Sequence, residues 1–182
     1  MKKLFTITMA LVAFTISAQN VTFGAKAGLN FASMVGDDAE GLDGRTSFHI
    51  GATAEIEISE SFSIQPELLY SGQGYSYNDA TAKVDYINLP VMAKFYVADG
   101  FSVEAGPQIG FLASAKADVG GVSVDIKDEL KSTDFAFNIG AGYKVSSVLN
   151  LGLRYSMGLT DVEDDSNGFK HSVFLLSIGY NF

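Results

Sequence analysis

The chain has 182 residues and sets 21 acidic side chains against 12 basic ones, a net charge of −9. That balance argues against nucleic acid as a partner, because its phosphates would be repelled. There is no Cys, which removes disulfides, thiolate chemistry and zinc–thiolate sites.

The chain opens MKKLFTITMALVAFTISAQN. Lys2 and Lys3 form a basic start, Leu4 to Ile16 a short apolar run, and Ser17-Ala18 a small-residue end. This pattern predicts a signal peptide over 1–18, cleaved after Ala18 and too short to span a membrane. The remainder, 19–182, is long enough for one domain. No later apolar run approaches the roughly 20 residues of a spanning helix, so any passage through a membrane must be made by strands.

From Val21 onward the chain alternates with period two, the signature of strands whose side chains point to opposite faces. The first run, VTFGAKAGLNFA, sets Val21, Phe23, Ala25, Ala27, Leu29 and Phe31 against Lys26, Gly28 and Asn30. SFHIGATAEIEI follows, with Phe48, Ile50, Ile56 and Ile58 opposite His49, Glu55 and Glu57. FSIQPELLYSGQGYSY carries Phe62, Ile64, Leu68 and Tyr70 on its apolar side and Glu67 on the other. VDYINLPVMAKFYV places Ile87, Leu89, Val91 and Phe95 opposite Asn88 and Lys94. FSVEAGPQIGFLA opposes Phe101, Val103 and Phe111 to Glu104 and Gln108. TDFAFNIGAGYKV opposes Phe135, Phe137 and Ile139 to Asp134, Asn138 and Lys144. LNLGLRYSMGLT sets Leu149, Leu151 and Leu153 against Asn150 and Arg154. The eighth run, HSVFLLSIGYNF, places Phe174, Leu176, Ile178, Tyr180 and Phe182 on one parity.

These runs outlast the five or six residues of an average soluble strand and suit the roughly 9–11 of a strand crossing a bilayer. The connections Ser59–Ser61, Ala98–Gly100 and Ser146–Val148 are short. Those over Ser33–Thr46, Ser114–Ser132 and Asp161–Lys170 are long, with Asn78–Lys83 intermediate. Short turns at one end and long loops at the other mark an outer-membrane barrel. The predicted fold is therefore all-β: an eight-stranded antiparallel up-and-down transmembrane β-barrel, with both termini at the short-turn end.

Of the 12 Phe beyond the signal, 11 lie on the apolar parity; Phe169 lies in a loop. The opposite parity mixes Gly and Ser with Lys26, Glu55, Glu57, Glu67, Lys94, Glu104, Lys144 and Arg154, the composition of a narrow polar lumen. If neighbouring strands pair simply across their turns, Lys94 faces Glu104. The same assumption puts Glu67 beside Lys94 across the Asn78 loop, and Lys144 beside Glu104 across the Ser114 loop. The expectation is a lumen charge belt of Glu67, Lys94, Glu104 and Lys144.

A barrel has no free edge, so its last strand runs to its end to pair with the first. Ile178, Tyr180 and Phe182 resemble the C-terminal signal by which outer-membrane barrels are recognised for insertion, with Ser177 where that signal usually has glycine. FGAKAGLNFA, YINLPVMAKFY and VEAGPQIGFL resemble the PorT-like, porin-family barrels, and the whole resembles the small OmpX-like and OmpA-like architecture. The resemblance implies an outer-membrane location, contact with membrane lipids and with the barrel-insertion machinery, and a link to secretion or gliding machinery that no residue here carries.

Eight strands enclose a lumen just wide enough for side chains to fill, so a plugged barrel is expected, with a small pore as the alternative. His49 and His171 lie on the inward parity, near Asp134 and Tyr77 by position along their strands. No nucleophile motif accompanies them, and the sequence predicts no enzyme. Asp37, Asp38, Glu40 and Asp43 in one loop, and Asp161, Glu163, Asp164 and Asp165 in another, lack the EF-hand order. They read as solvated acidic loops able to meet protein partners, and neither metal nor cofactor is expected.

Overall fold

The structure, a computed structural model, describes residues 21–36, 39, 41–78, 80–162 and 169–182. The signal segment 1–18 and the loop acids Asp37, Asp38, Glu40, Glu163, Asp164 and Asp165 lie outside the described residues.

Among the described residues nine strands follow in order: β1 (Val21–Val35), β2 (Asp43–Ser59), β3 (Phe62–Tyr77), β4 (Ala80–Ala98), β5 (Phe101–Val119), β6 (Val122–Asp125), β7 (Thr133–Lys144), β8 (Leu149–Gly158) and β9 (Lys170–Asn181). All are antiparallel to their neighbours. The order β4-β3-β2-β1-β9-β8-β7-β5 closes on itself because β4 also pairs with β5. The result is an eight-stranded barrel. β6 stands outside it as a short hairpin on the end of β5. Closure at the termini is direct: β9 pairs with β1 from Lys170 to Asn181, and the Phe182 N–H donates to the Phe23 carbonyl at 2.8 Å.

The burial pattern is that of a membrane barrel. Phe23, Phe95, Leu176 and Ile178 are half or more exposed, while Lys26, Glu67, Lys94 and Arg154 are each at most 9% exposed. A soluble protein buries apolar groups and solvates charge; here the apolar parity faces outward and the charged parity faces the axis.

Three expectations about connections are corrected. Asn78–Lys83 is not a six-residue loop: Tyr77 pairs with Ala80, leaving a two-residue turn in which Asn78 takes φ +50°. Ser114–Ser132 is not an open loop: β5 continues to Val119, turns at Gly120-Gly121 and returns as β6. The strand predicted to end at Ala32 continues to Val35. Each of these extensions lies at the end opposite the termini.

At that end the amphipathic pattern inverts. Along β4, the outward residues change from Leu89 and Ile87 to Asp85, Lys83 and Thr81, and the inward ones from Lys94 and Asn88 to Tyr86, Val84 and Ala82. β5 keeps step through a bulge at Ala113, since Tyr86 pairs with Leu112 and Asp85 with Ser114. Above this level β3, β4, β5 and β6 form an apron, charged outside and apolar inside. Its base packs on a cap: Val84, Tyr86, Leu112 and Ala115 bury with Ile126 and Leu130. Leu130 also packs on Met34, Val162 and Phe169.

The inversion marks where the lipid-facing band stops. Ile139→Arg, on the outward face in the middle of β7, is expected to cost about 2–4 kcal/mol, and Thr81→Arg, above the inversion, about 0–1 kcal/mol. Urea unfolding from lipid vesicles measures both.

Candidate functional site

The lumen is crossed by a continuous chain of alternating charges. Arg154 on β8 grips Glu67 on β3 with two hydrogen bonds, Nη1 to Oε2 at 2.8 Å and Nη2 to Oε1 at 2.9 Å. β3 and β8 are four strands apart in either direction round the barrel, so this pair spans the lumen. Lys26 on β1 donates to Glu67 Oε1 at 2.6 Å. Arg154 also reaches Glu104 on β5 at 3.3 Å, and Glu104 lies 3.8 Å from Lys94 on β4. Lys94 donates to Glu55 on β2 at 3.2 Å, and Glu55 lies 3.5 Å from Lys144 on β7. Each carboxylate is shared by two cations.

Three buried carboxylates thus balance Lys26, Lys94 and Arg154 one for one. Lys144, a third exposed, ends the chain near the short turns and lies 4.4 Å from the centre of the Tyr96 ring. The Tyr96 hydroxyl donates to Glu55. Gln65 links the two halves, donating to Glu67 at 2.6 Å and accepting from Lys94 at 3.0 Å. Desolvating so many charges is costly, and mutual pairing with further hydrogen bonds is what offsets it. Glycine makes the space: a Cβ on Gly142 would lie 2.7 Å from Glu104 Oε1.

A cavity of about 20 Å³ lies among Lys26, Lys94, Glu104, Arg154 and Ser177, room for about one water. Below it, a funnel of about 400 Å³ lined by Glu57, Tyr96 and Lys144 opens at the turn end.

The four residues expected to form a belt are placed as follows. Lys94 and Glu104 are direct cross-strand partners. Glu67 is not beside Lys94: Ser63 takes that place, because the tight Asn78 turn shifts the register by four residues. Lys144 is not beside Glu104, whose β7 partner is Gly140; it reaches Glu55 instead. Lys26, Glu55 and Arg154 were visible on the polar parity, but their partners lie two or four strands away round the barrel, where pairing between neighbouring strands gives no guidance.

The histidines do not share a site. His49 sits beside the charge chain, with Nδ1 2.7 Å from Asn30 Oδ1 and Nε2 2.9 Å from Ser177 Oγ. His171 stands under the cap, 3.2 Å from the Tyr86 hydroxyl. Ser177, at the position where the insertion signal usually has glycine, is held by its bond to His49 Nε2. Gln73, Tyr86 and Met92 point into the barrel and are buried, whereas Tyr75 and Tyr77 belong to the apron. Ile178, Tyr180 and Phe182 face outward, with Phe182 79% exposed.

The sequence that builds this barrel, with its apolar exterior and charged interior, matches a known family model. The model for the outer membrane protein beta-barrel domain covers residues 17–164. The chain belongs to that family. An outer-membrane lipid setting follows from it. No curated protein matches the sequence. Among solved structures, Ail, the attachment invasion locus protein of Yersinia pestis, superposes with a TM-score of 0.58 at 16% identity, over 88% of this chain and 98% of Ail. Neisserial surface protein A gives 0.61 at 14% identity, over 88% and 97%. At these identities the likeness is one of fold.

Chemically, Asn30–His49–Ser177 has the spacing of a nucleophile, a base and an orienting group. All three side chains are buried, Asn30 and His49 at 0% and 1% exposure. The arrangement orders the lumen wall between β1, β2 and β9.

Glu67 is the carboxylate on which two buried cations converge. Glu67→Leu is expected to cost about 3–5 kcal/mol, since Lys26 and Arg154 lose a shared partner. Glu67→Leu with Lys26→Met, which restores charge balance, should cost less than the single change. Unfolding in urea from vesicles reads both. Equal or additive losses would mean that the lumen is wet and the charges uncoupled.

Proposed function

We propose that this member of the family is a non-conducting and non-catalytic barrel that strengthens the outer membrane and presents its loop end to partners outside the cell. The observation that carries this reading is the two-bond grip of Arg154 on Glu67 across the lumen, with Lys26 on the same carboxylate and space for about one water beside them. A solute cannot pass without breaking pairs that are costly to separate. The lumen groups are committed to one another, and Ser177 is buried beside a cavity with room for about one water, which supports a structural role for His49.

On this reading residues 1–18 direct export and are removed, Ile178, Tyr180 and Phe182 present the outward aromatic signal to the insertion machinery, and the short turns end in the periplasm. The loops with their acidic residues then face outside. A cysteine placed at Gly121 should react with an impermeant maleimide in intact cells, and one at Ser147 should not.

The purified barrel in planar bilayers should give no discrete conductance steps. Glu67→Ala combined with Arg154→Ala removes the crossing pair, and steps should then appear. Ohmic steps from the unaltered protein would overturn the closed lumen and support a small pore instead.

A further inference from the structure

Just beneath the cap, one buried carboxylate lacks what the others have. Glu55, Glu67 and Glu104 each lie against two cations. Asp134, at the start of β7, is only 6% exposed. Among the described residues, which include every Lys and Arg after the signal segment, no cation pairs with it. The Thr160 hydroxyl donates to its Oδ1 at 2.7 Å, which leaves most of the roughly four acceptor positions of a carboxylate open. A buried charge without compensation is costly.

The neighbouring strands build a notch beside it. Asn88 on β4, Gly110 on β5 and Asp134 on β7 are consecutive cross-strand partners. Gly110 contributes no side chain, so its backbone is the floor of the notch. A Cβ there would lie 2.6 Å from Asn88 Oδ1, 3.4 Å from the Tyr86 ring and 3.7 Å from Asp134 Cβ. The amide oxygen and the acid thus flank one point from two sides. Asn88 is 4% exposed, and its Oδ1 has no hydrogen-bond partner in the protein.

An amide oxygen and a carboxylate that border one space are ligands for a hard cation. The donor set selects its charge. One carboxylate balances one positive charge, and among the described residues no group of three His, Cys, Asp or Glu is placed to hold a metal ion. A divalent ion would therefore bring an unbalanced charge into the lumen. We propose that the notch binds a monovalent alkali cation between the Asp134 carboxylate and Asn88 Oδ1. The ion supplies beneath the cap the pairing that Lys and Arg supply lower down, and it ties β4 to β7. The site stands apart from the charge chain and does not depend on the lumen's being closed to solutes.

Thermal unfolding of the barrel in vesicles of a zwitterionic phospholipid, followed by its heat-modifiable gel mobility, tests this. The measurement is made at about pH 8, above the ordinary carboxylate range. Sodium or potassium chloride replaces choline chloride at constant ionic strength. Stability is expected to rise with at least one of the two metal ions and to saturate, while choline is too large for the notch. Asp134→Asn should abolish the response. Asn88→Ala should raise the half-saturating concentration at least about tenfold, because one of few oxygen ligands is lost. Glu57→Gln, at the exposed turn end, should leave the response unchanged. Equal stability in sodium, potassium and choline overturns the proposal and leaves a proton as the means by which Asp134 is neutralised. A response that survives Asp134→Asn overturns it as well, as a salt effect on the surface. If Asp134→Asn fails to fold, Asn88→Ala decides, and an unshifted curve overturns the proposal.

Discussion

The crossing of the lumen by Arg154 and Glu67 is the contact on which the rest depends. Eight strands leave an interior that side chains can fill, and a filled interior in which the filling is charged has few stable solutions. The carboxylate has to receive cations from both sides, and Lys26 and Arg154 supply them. Arg154 has donors left for Glu104, Glu104 lies beside Lys94, and Lys94 donates to Glu55. The chain of pairs therefore ties seven of the eight barrel strands together through the inside, while the backbone ladder ties them round the outside. The glycines on the inward parity belong to the same design. Gly142 gives Glu104 its place, and the weakening that glycine brings to a strand is offset by the closed ladder on both sides of it.

The amphipathic inversion is a second consequence of building a sheet through two solvents. Within the membrane the outward face meets lipid and must be apolar, so polar groups collect inside. Above the membrane the outward face meets headgroups and water, and charge is free to move there. The inside then has to be closed by apolar contact, as Leu130, Phe169 and Val162 do around Met34. The change occurs within two residues on β4, between Ile87 and Asp85. It leaves the molecule with two chemically different closures: ion pairs in the spanning part and an apolar cap above.

Much of this was legible in the sequence, because period-two alternation reports faces directly. The eight barrel strands, the outward Phe residues and the inward charges follow from parity alone. The Lys94–Glu104 pairing also followed, because the Asp99-Gly100 turn that joins their strands is tight and its register is fixed by counting. Glu67 was misplaced because Asn78–Lys83 looks like a loop by composition, whereas Ala80 and Ala82 continue the strand with their small side chains on its inward parity. The β5–β6 hairpin was hidden for a related reason: the bulge at Ala113 breaks the alternation that would have revealed it. The contact between Arg154 and Glu67 was out of reach of strand counting. It depends on the stagger of the closed sheet, to which every register contributes.

The central claim is that the charge chain is dry. NMR of the barrel in nanodiscs, observing the lysine ammonium protons, tests it most directly. Lys26, bonded to Glu67 at 2.6 Å and 9% exposed, should show ammonium protons that exchange with water far more slowly than those of the exposed Lys116, and a hydrogen-bonded shift that disappears in Glu67→Leu. Exchange at Lys26 as fast as at Lys116 would mean that water fills the lumen, and the ion pairs would then close nothing.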